Sequence, residues 1–481
     1  MSQFTPPNPE LIENLKAVVG THGWKTAKDA GRYFDDPRGR FKGQGALIVA
    51  PSNTQQVAQI VRMCNAARVG IVPFSGGTGV VAGQMSIDSA NAIILSLEKM
   101  NKVRDVSVDD GVLVAEAGCI LENIHNVALS HDMVFPLSMA SKGSCCIGGN
   151  LATNAGGIQV LRYGNARDLC LGIEAVLPNG EILSELNPLR KNNTGYDLRH
   201  MLIGSEGTLG VITAASLLLK ASDPERTTVF CALDSPTAAK ALFRKLRDDV
   251  GDGISAFELM SGFGLNLVTH HFPQLRSPFS EAHPWYALIE ITGHLGIRAR
   301  VEAALEGCFE AEILNDAVLA TSEQQRDSLW DLREYTPEAN KLTGAICNSD
   351  TAVPISQVDR FLKLTTKAIS DVHEGLRINS YGHIGDGNIH HNVFPPEDIS
   401  KHDLIANHPG IIDAVRMAIN ETTDQCGGSI SAEHGIGRLK VDDLEQYVSV
   451  AKRDMMRAIK RAVDPNNIMN PGALLRIENA E

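Results

Sequence analysis

Gly143-Ser-Cys-Cys-Ile-Gly-Gly-Asn-Leu-Ala-Thr-Asn-Ala-Gly-Gly157 carries five glycines, with Ser144, Asn150, Thr153 and Asn154 set among them. Glycine permits positive φ and close backbone approach, so successive N–H groups can face an anion while the small polar side chains add neutral donors. Three more segments share this character: Pro73-Phe-Ser-Gly-Gly-Thr-Gly-Val-Val-Ala-Gly-Gln84, Arg162-Tyr-Gly164 and Gly204-Ser-Glu-Gly-Thr-Leu-Gly210. Any one of them alone reads as an ordinary tight turn. Four of them between residues 73 and 210 describe a cradle for a large anionic ligand. Their spacing does not fit G-x-G-x-x-G opening a helix, and no Lys follows the glycines as in a P-loop, so a nicotinamide-binding Rossmann domain and an NTPase are both disfavoured.

Outward from the cradle, Ala46–Ala50 reads as a buried strand closed by Pro51. Ser52 or Asn53 can cap a helix with apolar positions at Val57, Ile60, Val61 and Met63, and Gly70–Phe74 is a second strand. This β-α-β unit runs straight into Ser75-Gly-Gly-Thr-Gly79. Strand-like runs follow at 92–95, 112–117, 173–177 and 209–213, so the first 220 residues read as α+β. From about Pro224 the texture becomes helical stretches at 238–247, 301–309 and 324–339, alternating with strands such as Trp285–Ile291. Near the C-terminus, 442–462 reads as one long helix ended by Asp464-Pro465.

The second informative stretch is Tyr381-Gly-His-Ile-Gly-Asp-Gly-Asn-Ile-His-His-Asn-Val393. Asp386-Gly387 is a strong two-residue hairpin signal. Such a turn pairs His383 with His390, with Cβ atoms about 4.5 to 5.5 Å apart on one face, where two imidazoles can share a metal ion. Asn392 falls on that face and His391 on the other. In Ser431-Ala-Glu-His-Gly-Ile-Gly437, Glu433 offers a hard oxygen and His434 a titratable imidazole. Two His and one carboxylate make a facial set with positions left open for a substrate. The plainer readings are a hydrogen-bonded histidine pair in a hairpin and a glutamate on a loop.

Composition excludes several classes. Net charge is −13 and aromatics are 5%, so no phosphate-neutralising or base-stacking surface is implied and nucleic acid is not an expected partner. No stretch approaches the ~18 to 20 apolar residues of a membrane span. The N-terminus lacks the pattern of a secretion signal, which makes the cytoplasm the default location. The nine cysteines include no C-x-x-C pair, against an iron–sulfur cluster, a thiolate zinc site or a disulfide framework.

Over roughly residues 40–220 the chain resembles the FAD-binding domain of the vanillyl-alcohol-oxidase / p-cresol-methylhydroxylase superfamily. The resemblance implies that Ser75, Gly76, Gly77, Thr78 and Gly79 wrap the FAD diphosphate. It sets Pro136, Ser138, Gly143, Gly148, Gly149 and Asn154 on the flavin side, and Gly207 with Val211 by the adenosine. Pro73, Gly83, Gln84, Gly157 and Asn470 complete the expected cofactor contacts. Members with covalent flavin often have a His in the first loop; Ser75–Thr78 occupy it here, so the expected FAD is non-covalent.

The C-terminal half resembles FAD-linked D-2-hydroxyacid dehydrogenases of the D-lactate, glycolate and D-2-hydroxyglutarate branch, whose H-x-G-D-G-N-x-H motif is matched in full by His383–His390. By this likeness His383, His390 and Glu433 are ligands of a divalent metal, usually zinc, and His434 is the general base. Arg333 is the clamp for the substrate 1-carboxylate, alone readable as a helix surface ion pair, and Asn392, Thr336 and Asn348 are substrate contacts. The implied fold is α+β: a two-subdomain FAD-binding domain (1–222), an α+β cap domain with an antiparallel sheet and the metal hairpin (223–425), and a helical C-terminal segment (426–481) returning to the flavin site. The implied reaction is oxidation of a small D-2-hydroxy acid to the 2-oxo acid with hydride transfer to flavin N5. The electrons would pass to an external acceptor such as an electron-transferring flavoprotein or a quinone, and a homodimer is the expected assembly, although no sequence feature sets it. The rivals are a metal-dependent hydrolase and a flavin-binding electron-transfer subunit without its own substrate.

One departure bears on the substrate. Where the D-2-hydroxyglutarate branch commonly has Lys-x-Asp before V-P, this chain reads Asn348-Ser-Asp350, and Pro337 stands where a hydroxyl residue is common, with Thr336 beside it. The expectation leans toward a D-lactate-like monocarboxylate, unless Lys191, Arg199 or Lys341 supplies the missing charge.

Overall fold

Asn53 caps the crossover helix of the first sheet: its side chain accepts from the Gln56 N–H at 2.9 Å, while Val57, Ile60, Val61 and Cys64 turn one fully buried face to the strands. The computed structural model describes residues 5–87 and 89–476. The sheet comprises β1 (Trp24–Thr26), β2 (Leu47–Val49), β3 (Ile71–Phe74) and β4 (Ile93–Ser96) in the order β1-β2-β4-β3, with β2 and β3 parallel to β4 and the helix Thr54–Ala67 between them in the chain. A second, antiparallel sheet follows from β5 (Val103–Ser107), β6 (Val112–Glu116), β7 (Cys170–Val176), β8 (Ile182–Glu185) and β9 (Val211–Leu218), in the order β5-β6-β9-β7-β8. The central strand β9 is buried along its whole length, as a strand covered on both faces must be.

The C-terminal stretch closes onto the edge of the first sheet. Ile71 N–H donates to Ile468 O and Asn470 N–H donates to Ile71 O, both at 2.8 Å, so Met469 runs as a parallel bridge beside Ile71. Buried Lys460 ties the same region together, donating to Thr208 O, Met469 O and Asp464. The expected single helix over 442–462 is two, Val441–Tyr447 and Val450–Val463. Val448 is extended, and Ser449 caps the second helix by accepting from Lys452 N–H.

The rest of the chain forms an eight-stranded sheet from β10 (Glu225–Leu233), β11 (Ile254–Ser261), β12 (Trp285–Gly293), β13 (Asp316–Leu319), β14 (Cys347–Asn348), β15 (Thr351–Ala352), β16 (Arg377–His383) and β17 (Asn388–Phe394). The order is β13-β10-β12-β11-β16-β17-β14, with β15 paired to β17 and every pairing antiparallel. Strand alternation sorts the two faces. Val229, Phe257, Leu259 and Ile289 pack with Leu242, Leu246, Val301 and Leu305 of the helices Pro236–Val250 and Ile297–Glu310. Phe230, Met260 and Leu288 pack on the opposite face with Leu329, Trp330 and Leu332. The expected helix over 324–339 breaks at Tyr335 into Glu323–Glu334 and Thr336–Thr343. Pro337 has no N–H to continue the ladder and sits in the first turn of the new helix, where none is needed.

The described residues fall into two compact units, one drawn from Met1–Gly157, Gly164–Ser222 and Glu433–Glu481, the other from Ile158–Tyr163 and Asp223–Ala432. The last break therefore lies at 432/433, where the sequence reading puts it at 425/426. The short segment around Arg162-Tyr163 groups with the second unit, and Arg162 pairs there with Asp223. Among the described residues no helix is long and apolar enough to cross a membrane.

Candidate functional site

Two clusters of side chains carry chemistry, one in each unit. In the first unit a cleft is lined by Pro73 through Gly79, Gly83, Gln84, Cys145, Cys146, Gly148, Gly149, Glu206, Gly207, Val211 and His434, among others. Its walls are loops pressed together by glycine. A Cβ on Gly76 would lie 2.5 Å from Ser144 O and 2.7 Å from Cys145 Cα, so the 75–79 loop meets the 143–149 segment backbone to backbone. Gly207 holds φ +72°, and a Cβ there would meet Pro73 Cγ at 2.9 Å. Among the described residues no Lys or Arg lines the cleft. A diphosphate there would be met by backbone N–H groups and small hydroxyls, which fits the glycine and serine content of the walls.

Pro136, Ser138, Gly143, Asn154, Gly157 and Asn470 do not line this cleft. Ser138 O and Gly157 instead press together, leaving no space for a Cβ on Gly157. Asn154 accepts from Arg167 N–H through its side chain. Asn470 acts from behind the wall, its amide donating to Gly83 O and Glu206 O and so joining two cleft loops.

Glu206 is a wall residue that sequence reasoning passed over, although Ser205-Glu-Gly207 was in view. It is 8% exposed and accepts from Ile436 N–H at 2.8 Å and Gly437 N–H at 2.7 Å. Burial pushes its carboxyl up, against the pull of those two N–H groups and of Arg438 and Lys440. Structurally, it fastens the turn that carries Glu433 and His434 to the cleft wall. Arg438 adds bonds to Ala82 O, Gly83 O and Asn470.

In the second unit the hairpin β16–β17 has a register two residues away from the expected one. Tyr381, not His383, stands opposite His390, with Ser380 opposite His391 and Asn379 opposite Asn392. The Asp386-Gly387 pair belongs to a longer turn, in which Asp386 N–H donates to His383 O and Gly387 N–H to Ile384 O. A slip of two preserves the face, because side chains alternate with period two. His383 and His390 are therefore diagonal neighbours, with ring centroids 5.9 Å apart. His391 points the other way and stacks on Phe361 at 5.2 Å, where burial first and then His390 bring it down to about 3.

The residue that organises this cluster is Glu258 of β11, fully buried and directly opposite His383 in the sheet. One carboxylate oxygen accepts a short hydrogen bond from His383 Nδ1, and the other accepts from Arg333 Nε at 2.7 Å. Burial pushes its carboxyl up, but His383 and Arg333 together outweigh that and hold it at about 2. Arg333, 8% exposed at the last turn of its helix, lies 4.7 Å from the centre of the Tyr381 ring, and Tyr381 lies 5.2 Å from His390. His390 Nδ1 contacts Ser349 O at 3.3 Å. With Nδ1 of both imidazoles engaged by oxygen, Nε2 is the nitrogen each would offer a metal, and carboxylate and carbonyl partners of this kind are those that orient ligating histidines. The donor set thus fits a divalent ion.

Asn392 is buried, standing between Asn379 and exposed Asn348 on the neighbouring strands. Thr336 is buried with its hydroxyl donated to Leu332 O. Glu433 and His434 belong to the first unit. Of the cations considered as a substitute for Lys at 348, Arg199 and Lys191 belong to the first unit, Arg199 bound to Cys170 O and Asp197 and Lys191 exposed, while Lys341 of the second unit is 76% exposed beside Glu338.

Residues 45–184 match the family model described as "FAD binding domain", and residues 222–474 match "FAD linked oxidases, C-terminal domain". The chain is 36% identical over 474 residues, 98% of each sequence, to a D-2-hydroxyglutarate dehydrogenase of Xanthomonas citri pv. viticola. It is 36% identical over 438 residues, 91% of this chain and 76% of the relative, to the mitochondrial D-2-hydroxyglutarate dehydrogenase of Arabidopsis thaliana. Among solved structures, 4-ethylphenol oxidase from Gulosibacter chungangensis superposes with a TM-score of 0.75 at 18% identity, covering 98% of both chains. Substrate-bound p-cresol methylhydroxylase superposes with a TM-score of 0.74 at 17% identity, covering 96% of both. Those two likenesses show the fold, and the glycine-walled cleft and both family matches converge on one conclusion: the chain belongs to the FAD-linked oxidases and is an FAD-dependent oxidoreductase.

Proposed function

We propose that this oxidoreductase dehydrogenates a D-2-hydroxy acid to the 2-oxo acid, using non-covalent FAD in the first unit's cleft and a divalent metal, zinc by resemblance, on His383, His390 and Glu433. The observation that carries the reading is the buried Arg333–Glu258–His383–His390 cluster, which pairs a carboxylate-reading guanidinium with two oriented imidazoles. An electron-transfer subunit has no need of it, and membership of the FAD-linked oxidases removes the hydrolase.

When bound, FAD supplies the acceptor that takes the Cα hydrogen as hydride at N5, and the metal supplies a Lewis acid for the substrate hydroxyl. The chain supplies the rest. Arg333 holds the 1-carboxylate, Asn392 contacts the substrate from β17, and His434 takes the hydroxyl proton. The electrons then pass to an external acceptor, an electron-transferring flavoprotein or a quinone, and a homodimer belongs to the same reading. All nine cysteines are buried, and the proposed location is the reducing cytoplasm.

The test is anaerobic bleaching of the flavin absorbance by a panel of D- and L-2-hydroxy acids. Bleaching by D acids is expected; bleaching by none of them, or by L acids alone, overturns the proposal. Acid precipitation should release all the flavin, because the 75–79 loop offers only hydrogen bonds; colour that stays with the denatured chain would show a covalent link.

Within this class the proposed substrate is a short monocarboxylate such as D-lactate. The relatives' names favour D-2-hydroxyglutarate, but Asn348 is an amide, and a distal carboxylate desolvated without a cation forgoes about 1.5 to 3 kcal/mol, roughly ten- to a hundredfold in affinity. kcat/KM for D-lactate or D-2-hydroxybutyrate should exceed that for D-2-hydroxyglutarate, and Asn348→Lys should move the ratio toward the dicarboxylate. A wild-type preference for D-2-hydroxyglutarate of about tenfold, roughly 1.4 kcal/mol, reverses the assignment.

A further inference from the structure

We propose that Glu258 is a positioning residue that couples metal binding to substrate-carboxylate binding, by serving as a buried counter-ion shared by His383 and Arg333. The inference rests on the proposed metal and carboxylate roles of those two residues and extends them to a third that touches neither ligand.

The geometry is set by the sheet and then by one carboxylate. Glu258 and His383 are opposed in the β11–β16 ladder, so the Nδ1 contact is fixed by backbone register. Glu258 shares its face of β11 with Met260, against which Leu329, Trp330 and Leu332 of the helix Glu323–Glu334 pack, and this brings Arg333 of the same helix to the second oxygen at 2.7 Å. The side chain of Glu258 is 0% exposed and that of Arg333 10%, so water cannot replace either bond.

Two consequences follow. A carboxylate on Nδ1 requires the proton there, which fixes the tautomer of His383 and directs Nε2 to the metal. The same carboxylate holds the plane of the Arg333 guanidinium, and with it the orientation in which that guanidinium meets a substrate carboxylate. A cation drawing on His383 strengthens the Nδ1–H bond to Glu258, and any shift of Glu258 is transmitted to Arg333. By linkage the effect is reciprocal, so the substrate carboxylate stabilises the bound metal as the metal does the carboxylate.

The test compares Glu258→Gln, Arg333→Met, the double variant and His383→Ala, each as full-length FAD-loaded protein. Zn²⁺ affinity is measured by competition with a chromophoric chelator, and KM for D-lactate at saturating Zn²⁺. The glutamine oxygen can accept from only one of the two donors. Glu258→Gln should lower Zn²⁺ affinity by about 10- to 100-fold, the usual cost of losing an outer-shell partner, and raise KM at least tenfold with FAD content unchanged. Arg333→Met should leave Zn²⁺ affinity near wild type, because Glu258 still holds His383. If Glu258→Gln does not fold, the double variant, which buries no unpaired charge, should still bind Zn²⁺ about 10- to 100-fold more weakly than Arg333→Met. Wild-type affinity that His383→Ala abolishes and Glu258→Gln leaves intact overturns this inference alone, as does a change in only one of the two constants. Absence of Zn²⁺ binding to the wild type overturns the metal reading and this inference with it.

Discussion

Replacing His434 with alanine should slow reduction of the flavin by about 10² to 10⁴ while leaving FAD bound, the usual loss for a positioned base. That corresponds to about 2.7 to 5.5 kcal/mol of barrier. The effect should be local. The turn bearing His434 is fastened through Ile436 and Gly437 N–H to Glu206, and those anchors do not involve the imidazole. His434 also lines the cleft directly, so its loss removes a group facing the cofactor volume and not a remote support. A base must be neutral to accept a proton, so wild-type reduction should fail on the acid side and the variant should lose that limb. Stopped-flow reduction across pH checks both, and an unchanged rate would assign proton removal to another group.

Chelation should abolish turnover by about 10²-fold or more yet leave the protein yellow, given the several kcal/mol a Lewis acid contributes. His383 and His390 sit on the β16–β17 hairpin of the second unit, whereas the cleft loops lie in the first, so the two losses are separable. His383→Ala and Glu433→Ala should reproduce the effect, and re-addition of the metal should restore only the wild type. Metal analysis, flavin absorbance and activity on one preparation decide the matter. Full activity in metal-free protein would make both histidines structural.

The sequence made the cradle legible because glycines pressed against backbone leave a local signature, as at Gly76 and Gly207. The hairpin's face was equally legible, since period-two alternation survives an error of two residues, and its register was not, because Asp386-Gly387 lies inside a longer turn. Glu258 was invisible for another reason. It lies more than a hundred residues from His383, with no motif around it, and only the order of strands across the sheet brings the two together. Glu206 escaped because the side chain between two glycines looked incidental to the turn. The helix breaks at Tyr335 and Val448 fell within continuous amphipathic patterns, although Pro337 and Ser449 marked them in a way that helical spacing alone concealed.

The parallel bridge between Ile71 and Met469 bears on the order of events during synthesis. Its partners are separated by ~400 residues, and at about 5 to 20 residues per second the ribosome needs ~20 to 80 s to deliver the second after the first. Until then Ile71 presents an unpaired strand edge, and Gly83 and Glu206 lack the Asn470 amide that joins their loops. The bracing of the cofactor cleft is therefore added late in synthesis, and a chain halted before Met469 exposes a sheet edge open to other strands.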